Sequence, residues 1–217
     1  LGMIVRSLLT LFTASLLMGC SVFGIRSGYE QPSYVLVETL SDQIEMRRYS
    51  PRLAVETTVD ISDYDEGRNA AFRLLFDYIS GANRTAESVT MTAPVEASRT
   101  SEEVSMTAPV ETSRAGTGGM RMRFFLPAEF TLETAPQPIG PKVYLIEVAG
   151  QLQAVLRFSG FASEDAVDQR TEDLLHALDQ SSWRAAGEPV TYSYDPPWTL
   201  PFFRRNEIVI PVLPASS

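Results

Sequence analysis

Few side chains in this 217-residue sequence have the chemistry of a catalytic or metal site. The chain has one cysteine, Cys20, and one histidine, His176. A zinc cluster of cysteines and histidines, a thiolate-bound iron–sulfur centre and an intrachain disulfide each need more of these residues. Carboxylates such as Glu129, Glu133 and Glu207 are plentiful, but no spacing identifies a catalytic pair. The sequence therefore predicts a binding protein rather than an enzyme.

A dense group of side chains suited to binding lies near the C-terminal end of the sequence. Trp198, Phe202 and Phe203 are interspersed with three prolines and followed by Arg204 and Arg205. Prolines stiffen a loop and lower the entropy lost on binding, and aromatic rings supply flat contact area. Guanidinium pairs suit carboxylates, although the two arginines are equally consistent with a solvated pair beside the next acidic residue. We predict that this stretch forms one wall of a ligand cleft.

The opposite wall is predicted on the first of two helices, at about residues 66–80. On a helical wheel, the stripe facing the core comprises Phe72, Leu75, Phe76 and Ile79. Ala71, Leu74 and Tyr78 form a second apolar strip largely outside it. Periodicity leaves two interpretations open, a covering loop or a hydrophobic cleft. Arg68, at the helix start, would reach the cleft rim or bond a neighbouring carboxylate. The ligand-binding set predicted on this helix is Arg68, Ala71, Leu74, Leu75 and Tyr78.

Alternating apolar and polar residues predict about nine short strands around the two helices. The second helix starts after Ser163, a residue suited to capping, and runs to about Gln180. Each helix follows a set of strands, which suggests two related halves of β-β-α-β type. The segments 87–99 and 102–114 are near-copies that share the motif MTAPV, and each is predicted to form one strand.

The charge balance bears on the class of partner. Lysine and arginine total 18 and aspartate and glutamate total 27, which gives a formal charge of −9. An acidic surface repels phosphate backbones, so no nucleic-acid partner is predicted. The same charge would suit cationic small molecules.

The first 20 residues have the pattern of a targeting segment. Arg6 precedes an apolar run, Leu8–Met18, which is about half the length of a membrane span. Leu17-Met18-Gly19-Cys20 resembles a bacterial lipobox, in which the cysteine is lipidated. The alternatives are an ordinary signal peptide with a chance cysteine, or a buried thiol. We predict a signal peptide at 1–20, lipidation of Cys20, a tether at 21–32, and a membrane-anchored lipoprotein of the cell envelope. Because Ser21, not aspartate, follows the cysteine, it would sit on the outer membrane facing the periplasm.

Several stretches together are diagnostic of a family. They read YEQPSYVLVE, EGRNAAFRLLFDYISGAN, MTAPV (twice), MRFFLPAEF, LRFSGFAS and YDPPWTLPFFRRNEIVIPV. On these motifs the chain resembles the SOUL heme-binding protein family over about residues 29–212, although its duplicated MTAPV departs from the expected single copy. The resemblance implies an α+β fold, a distorted and mostly antiparallel β-barrel with two helices and two pseudo-repeats, in a single domain at 33–214. It also implies binding of heme or a related tetrapyrrole without enzymatic activity, in a pocket beside the first helix near the loop before the last strand.

An axial iron ligand is not evident from the sequence. His176 lies opposite the apolar stripe of the second helix, which indicates a surface residue. Tyr78 is a possible phenolate ligand, and methionines would ligate weakly. We therefore expect non-covalent heme binding by hydrophobic contact without axial histidine ligation, in a carrier or buffer role. The alternatives are a non-catalytic module for other apolar or cationic small molecules, and a structural role in the envelope.

Overall fold

The computed structural model of the protein describes residues 28–85, 101–116 and 118–215. The predicted signal peptide, Cys20, most of the predicted tether and the first MTAPV copy lie outside the described residues. The elements in chain order are β1 (Tyr34–Ser41), β2 (Ile44–Tyr49), β3 (Arg52–Val59), α1 (Tyr64–Ile79), β4 (Asn83–Arg84), β5 (Val110–Arg114), β6 (Met120–Phe125), β7 (Gln137–Pro138), β8 (Val143–Val148), β9 (Gln151–Phe158), α2 (Glu164–Asp179), β10 (Trp183–Ala185), β11 (Val190–Ser193), a 3-10 turn (Pro201–Phe203) and β12 (Asn206–Pro214).

One large antiparallel sheet organises the fold. Its strand order is β1-β2-β9-β12-β11-β5-β6-β3-β8, with β10 paired to β12, while β4 and β7 pair separately. Within the described residues β1 and β8 are free edges, so the sheet is open and matches the predicted distorted β-barrel only loosely. The α+β class with two helices is confirmed. The short strands β4, β7 and β10 were not predicted, because two or three residues are too few to show an alternating pattern.

The strand order shows that the two halves are related by a pseudo-twofold axis. One unit is β2-β3-α1-β5-β6, and the other is β8-β9-α2-β11-β12. When β1 is left out and the strand order of the sheet is read from its other end, each strand takes the place of the matching strand in the other unit. Thr112 of β5 pairs with Thr191 of β11 at the centre. Each half also lends its first strand to the other, since β2 pairs with β9 and β8 pairs with β3. The prediction of two related halves is confirmed, with one further strand in each.

The two faces of the sheet have different coverings. On one face α1 packs over β3 and β6 and α2 packs over β9 and β12, each with its own apolar cluster. On the other face a third cluster forms from strand residues without any helix, including Tyr49, Phe125, Tyr192 and Val209. We call this second side the helix-free face. Alternation along each strand sends neighbouring side chains to opposite sides.

The orientation of α1 corrects the helical-wheel prediction. Asp63 caps the helix by accepting a hydrogen bond from the Glu66 amide at 2.8 Å. The buried face carries Gly67, Ala71, Leu75, Tyr78 and Ile79, whereas Phe76 is 45% exposed. A Cβ at Gly67 would lie 3.1 Å from the Met120 Cβ, so the small residues let the helix approach β6 closely. Ala71 and Tyr78 therefore lie in the core, not on a second face.

The packed domain begins earlier than Ser33, the predicted boundary. The Ala108 amide donates to the Glu30 carbonyl at 3.0 Å, and the Ala128 amide donates to the Glu30 carboxylate at 2.9 Å. Tyr29 packs against the cluster on the helix-free face. The last residues of the predicted tether are thus part of the fold. Among the described residues, no helix has the length and apolar character needed to cross a membrane.

The buried hydroxyl of Tyr78 provides a test of this core placement. It donates to the Pro136 carbonyl at 2.7 Å, so Tyr78→Phe leaves a buried acceptor without a partner and should cost about 1–3 kcal/mol of unfolding free energy. The matched control is Tyr144→Phe, whose exposed hydroxyl donates to the Pro141 carbonyl at 3.0 Å; it should change stability by less than about 0.5 kcal/mol. Urea denaturation of both variants measures the difference, and equal stabilities would contradict the core assignment.

Candidate functional site

Four exposed aromatic side chains lie on two neighbouring loops and form what we call the aromatic loop surface: Phe161, Trp198, Phe202 and Phe203. Their exposed fractions include 62% for Phe161, 64% for Trp198 and 66% for Phe202. The Phe202 and Phe203 ring centroids are 4.6 Å apart. Large aromatic rings left in water at this density indicate a binding surface.

Backbone hydrogen bonds hold the loop that carries Trp198. Its ends are joined where the Tyr194 amide donates to the Arg205 carbonyl at 3.1 Å. Within it, the Thr199 amide donates to the Pro196 carbonyl at 3.0 Å, and Phe203 closes the 3-10 turn onto Leu200 at 2.9 Å. A loop held this way by prolines and internal bonds has little entropy left to lose when a ligand binds.

Arg204 joins the two loops of the aromatic loop surface. Its guanidinium carbon lies 4.7 Å from the Phe161 ring centroid, and its Nε donates to the Thr199 carbonyl at 2.8 Å. The loops are also joined by the Gly160 amide, which donates to the Pro201 carbonyl at 2.9 Å. Stacking against an aromatic face stabilises a guanidinium group, so Arg204 is held at the surface.

Arg68 connects the start of α1 to this region. Its Nη1 donates to the Ala162 carbonyl at 3.1 Å, and its Nη2 pairs with Asp65 at 3.0 Å. Since Ala162 follows Phe161, Arg68 lies beside the loop that carries this ring. Of the predicted site residues, the structure places Arg68 and Arg204 beside the two loops that carry Trp198, Phe202 and Phe203.

Arg205 is the member of the predicted arginine pair that turns away. Its Nη2 pairs with Glu207 at 2.7 Å, and its guanidinium lies 4.0 Å over the Tyr194 ring on the helix-free face. Burial alone would lower the pKa of Arg205, but the Glu207 carboxylate outweighs burial and raises it. Arg205 therefore lies beside Glu207, as in the alternative interpretation, but it is largely buried rather than solvated, and Arg204 is the arginine that lies at the aromatic loop surface.

Three of the predicted residues of the α1 wall lie in the core. Ala71, Leu75 and Tyr78 are fully buried, and Leu74 is partly buried. Burial raises the pKa of Tyr78, with a further contribution from Glu102, so its phenol stays protonated and is poorly suited to bind iron as a phenolate. These residues could contact a ligand, as predicted, only if the core opened.

The exposed apolar group on α1 is instead Phe76, while Phe72 beside it is half-buried against Phe124. Their rings stack with centroids 5.9 Å apart, and they follow Arg68 at four-residue spacing, which places all three along one side of the helix. The sequence signal was the stripe Gly67, Ala71, Leu75, whose small residues mark the side that approaches the sheet. Phe161 was also missed, because a single aromatic residue in a short loop has no periodicity to reveal it.

His176 is exposed on α2, with its Nε2 2.8 Å from the Gln180 side-chain nitrogen. This agrees with the predicted surface position. Among the described residues, no group of three histidine, cysteine, aspartate or glutamate side chains is placed to hold a metal ion. The arrangement that remains is a set of flat aromatic rings with an adjoining guanidinium, which suits a flat apolar ligand with a carboxylate.

The sequence and the fold are similar to those of known proteins. The chain matches the model of the SOUL heme-binding protein family over residues 29–211. It is 28% identical over 166 residues to "Heme-binding protein 2" of Homo sapiens, which covers 76% of this chain and 75% of that protein. It is 27% identical to "Heme-binding protein 2" of Mus musculus, over 82% of this chain and 84% of that protein. The fold resembles the EcmrR C-terminal domain, with a TM-score of 0.58 and 9% identity, over 79% of this chain and 98% of that one.

Glu207 is predicted to stabilise the base of the aromatic loop. It is fully buried and accepts from Arg47, Arg205 and Tyr194. Glu207→Gln removes the carboxylate from partly buried Arg205, leaves buried Arg47 with Glu45 alone, and should cost about 3–5 kcal/mol. Glu45→Gln removes a partly exposed partner of Arg47 and should cost less than about 1 kcal/mol. Urea denaturation compares the two, and a similar small loss in both would show that Glu207 does not anchor the loop.

Proposed function

Because the chain belongs to the SOUL heme-binding protein family, we propose that it binds heme or a related tetrapyrrole on the aromatic loop surface. The observation that carries the proposal is the set of exposed rings with Arg204 stacked beside them. A tetrapyrrole is a flat apolar ring with carboxylate side chains. Aromatic rings match its face, and a guanidinium group matches its carboxylate.

Two small cavities do not offer room for a tetrapyrrole, and the exposed rings offer an open surface instead. Two cavities lined by described residues measure about 160 and 290 Å³, which is at or below the small end of typical ligand sites. Neither is lined by the aromatic loop surface. The tetrapyrrole would lie against Trp198 and Phe202, with one edge toward Arg204 and the start of α1.

Binding is proposed to occur without an axial protein ligand. Tyr78 is buried and hydrogen-bonded, and His176 lies on α2 away from the aromatic rings. We infer a non-covalent and non-catalytic interaction, as expected for a carrier or buffer. The alternative of a module for apolar cations has less support, because the buried carboxylates Glu111 and Glu207 are each paired with arginine.

A hemin titration of the full-length protein, followed by Soret absorbance, tests the proposal. Wild type should bind saturably, and Trp198→Ala should weaken binding by about tenfold through lost apolar contact. Trp183→Phe is the matched control at the other tryptophan, which lies against Glu38, and should bind as wild type does. Protoporphyrin IX, which lacks iron, should bind with similar affinity.

Three outcomes would contradict this assignment. Absence of saturable binding by wild type would exclude the tetrapyrrole function. Unchanged affinity in Trp198→Ala would place the ligand elsewhere. Much weaker binding of protoporphyrin IX than hemin, together with loss of hemin binding in His176→Ala, would show that the iron is ligated.

We further propose that the protein is a lipoprotein of the cell envelope, on the strength of the Leu17-Met18-Gly19-Cys20 motif. Two or more acyl chains give stable anchoring where a single chain does not. An anchored binder would hold tetrapyrrole at the membrane surface, where such apolar molecules partition.

Metabolic labelling with an alkyne fatty acid in a bacterial host tests the anchor. Wild type should incorporate label and fractionate with membranes, and Cys20→Ser should lose both properties because no other thiol exists in the chain. Ser21→Ala is the matched control and should remain labelled. Label retained in Cys20→Ser would contradict lipidation at this residue.

A further inference from the structure

The helix-free face contains a cation whose hydrogen bonds are incomplete. Arg52 begins β3, and its guanidinium carbon lies 4.1 Å from the Phe125 ring centroid and 4.6 Å from that of Tyr49. Its Nη2 donates to the Tyr192 hydroxyl at 3.1 Å. Its Nε and Nη1 are buried and have no hydrogen-bond partner.

The neighbouring arginines on this face, unlike Arg52, are paired with carboxylates. Arg47 and Arg205 share the Glu207 carboxylate, and Arg123 pairs with Glu56 and Glu111. Glu111 is the acidic residue whose charge acts on Arg52, but its carboxylate is held by Arg123 at 2.8 Å. A charged group with unpaired buried donors is costly, so Arg52 is suited to an acceptor brought by another molecule.

A cavity of about 290 Å³ adjoins this side chain. Among the described residues that line it, Arg52 is the one cation and Glu30 is the one anion. The Glu30 carboxylate accepts from the Ala128 amide at 2.9 Å, so it is already engaged. The apolar part of the wall comprises Leu53, Phe125, Leu126, Ala128, Phe130 and three prolines.

The wall is held in place from two sides. On one side, the Glu30–Ala128 hydrogen bond holds the segment that contains Glu30 and Gln31. Arg205 also holds this segment, because its Nη1 donates to the side-chain oxygen of Gln31 at 3.3 Å. Opposite it, the Thr107 hydroxyl donates to the Phe125 carbonyl. A cavity held this way exists before a ligand arrives, which lowers the cost of binding.

We propose that this cavity binds a small organic carboxylate whose acid group pairs with Arg52 and whose apolar body lies against Leu53, Leu126 and Phe130. Pairing requires the guanidinium to leave its place against the Tyr49 and Phe125 rings and to turn its Nε and Nη1, which are buried in the unliganded structure, toward the cavity. The volume limits the ligand to something much smaller than a tetrapyrrole. None of the lining residues belongs to the aromatic loop surface, so the two sites are separate.

Calorimetric titration of the full-length protein with octanoate tests this site, with 1-octanol as the uncharged probe. Octanoate should bind saturably and at least about tenfold more tightly than octanol, because a hydrogen bond to a charged group contributes more than a neutral contact. Arg52→Gln should reduce octanoate affinity by about tenfold or more, while Arg52→Lys keeps the charge and should retain part of it.

Two further variants keep the test decisive if Arg52→Gln unfolds. Ala128→Trp places a large side chain at an exposed position of the cavity wall and should abolish octanoate binding while Arg52 stays in place. Trp198→Ala should leave octanoate binding unchanged. The proposal would be overturned if wild type bound octanol as tightly as octanoate or showed no saturable octanoate binding. It would also be overturned if Ala128→Trp bound octanoate fully or Trp198→Ala lost octanoate binding. None of these results tests whether the protein binds hemin.

Discussion

A fully buried carboxylate, Glu207, is the interaction on which much of this structure depends. A buried charge is tolerated only when opposite charges and hydrogen-bond donors surround it. Arg47 from β2, Arg205 from the end of the aromatic loop and the Tyr194 hydroxyl supply these groups. Burial and the nearby Glu207 carboxylate raise the pKa of Tyr194 well above its ordinary value, so its phenol remains a donor. One residue thereby joins β2, β12 and both ends of the loop.

Glu207 also gives the adjacent residues Arg204 and Arg205 different positions. Arg205 is drawn onto the helix-free face, and Arg204 is left outside against Phe161. The aromatic rings of the loop stay exposed, and backbone hydrogen bonds hold the loop in place. The aromatic loop is therefore apolar at its surface, and the bonds of Glu207 to Arg205 and Tyr194 hold its two ends in place.

The two halves share one architecture through the pseudo-twofold symmetry, but they carry different loops and different side chains on their surfaces. The outer strands are exchanged between the halves, and the Thr112–Thr191 pair stands at the centre. The aromatic loop belongs to the second half alone, where the chain between β11 and β12 is longer than that between β5 and β6. The cavity beside Arg52 lies against β3 and the end of β6, in the first half. Ligand-binding features are therefore set by loops and single side chains on a repeated scaffold.

The sequence alone determined the α+β class, the two helices, the related halves, the exposed His176 and the cluster around Trp198. These features depend on local patterns and on motifs that are specific in combination. Tertiary structure decided which side of α1 is buried, because Gly67 and Ala71 allow an approach to β6 that leaves Phe76 exposed and Phe72 half-buried against Phe124. It also decided that Arg205 turns inward, that the sheet stays open and that Arg52 lies beside a cavity. Each of these depends on contacts between residues far apart in the chain, such as Arg47 with Glu207, and no local pattern encodes them.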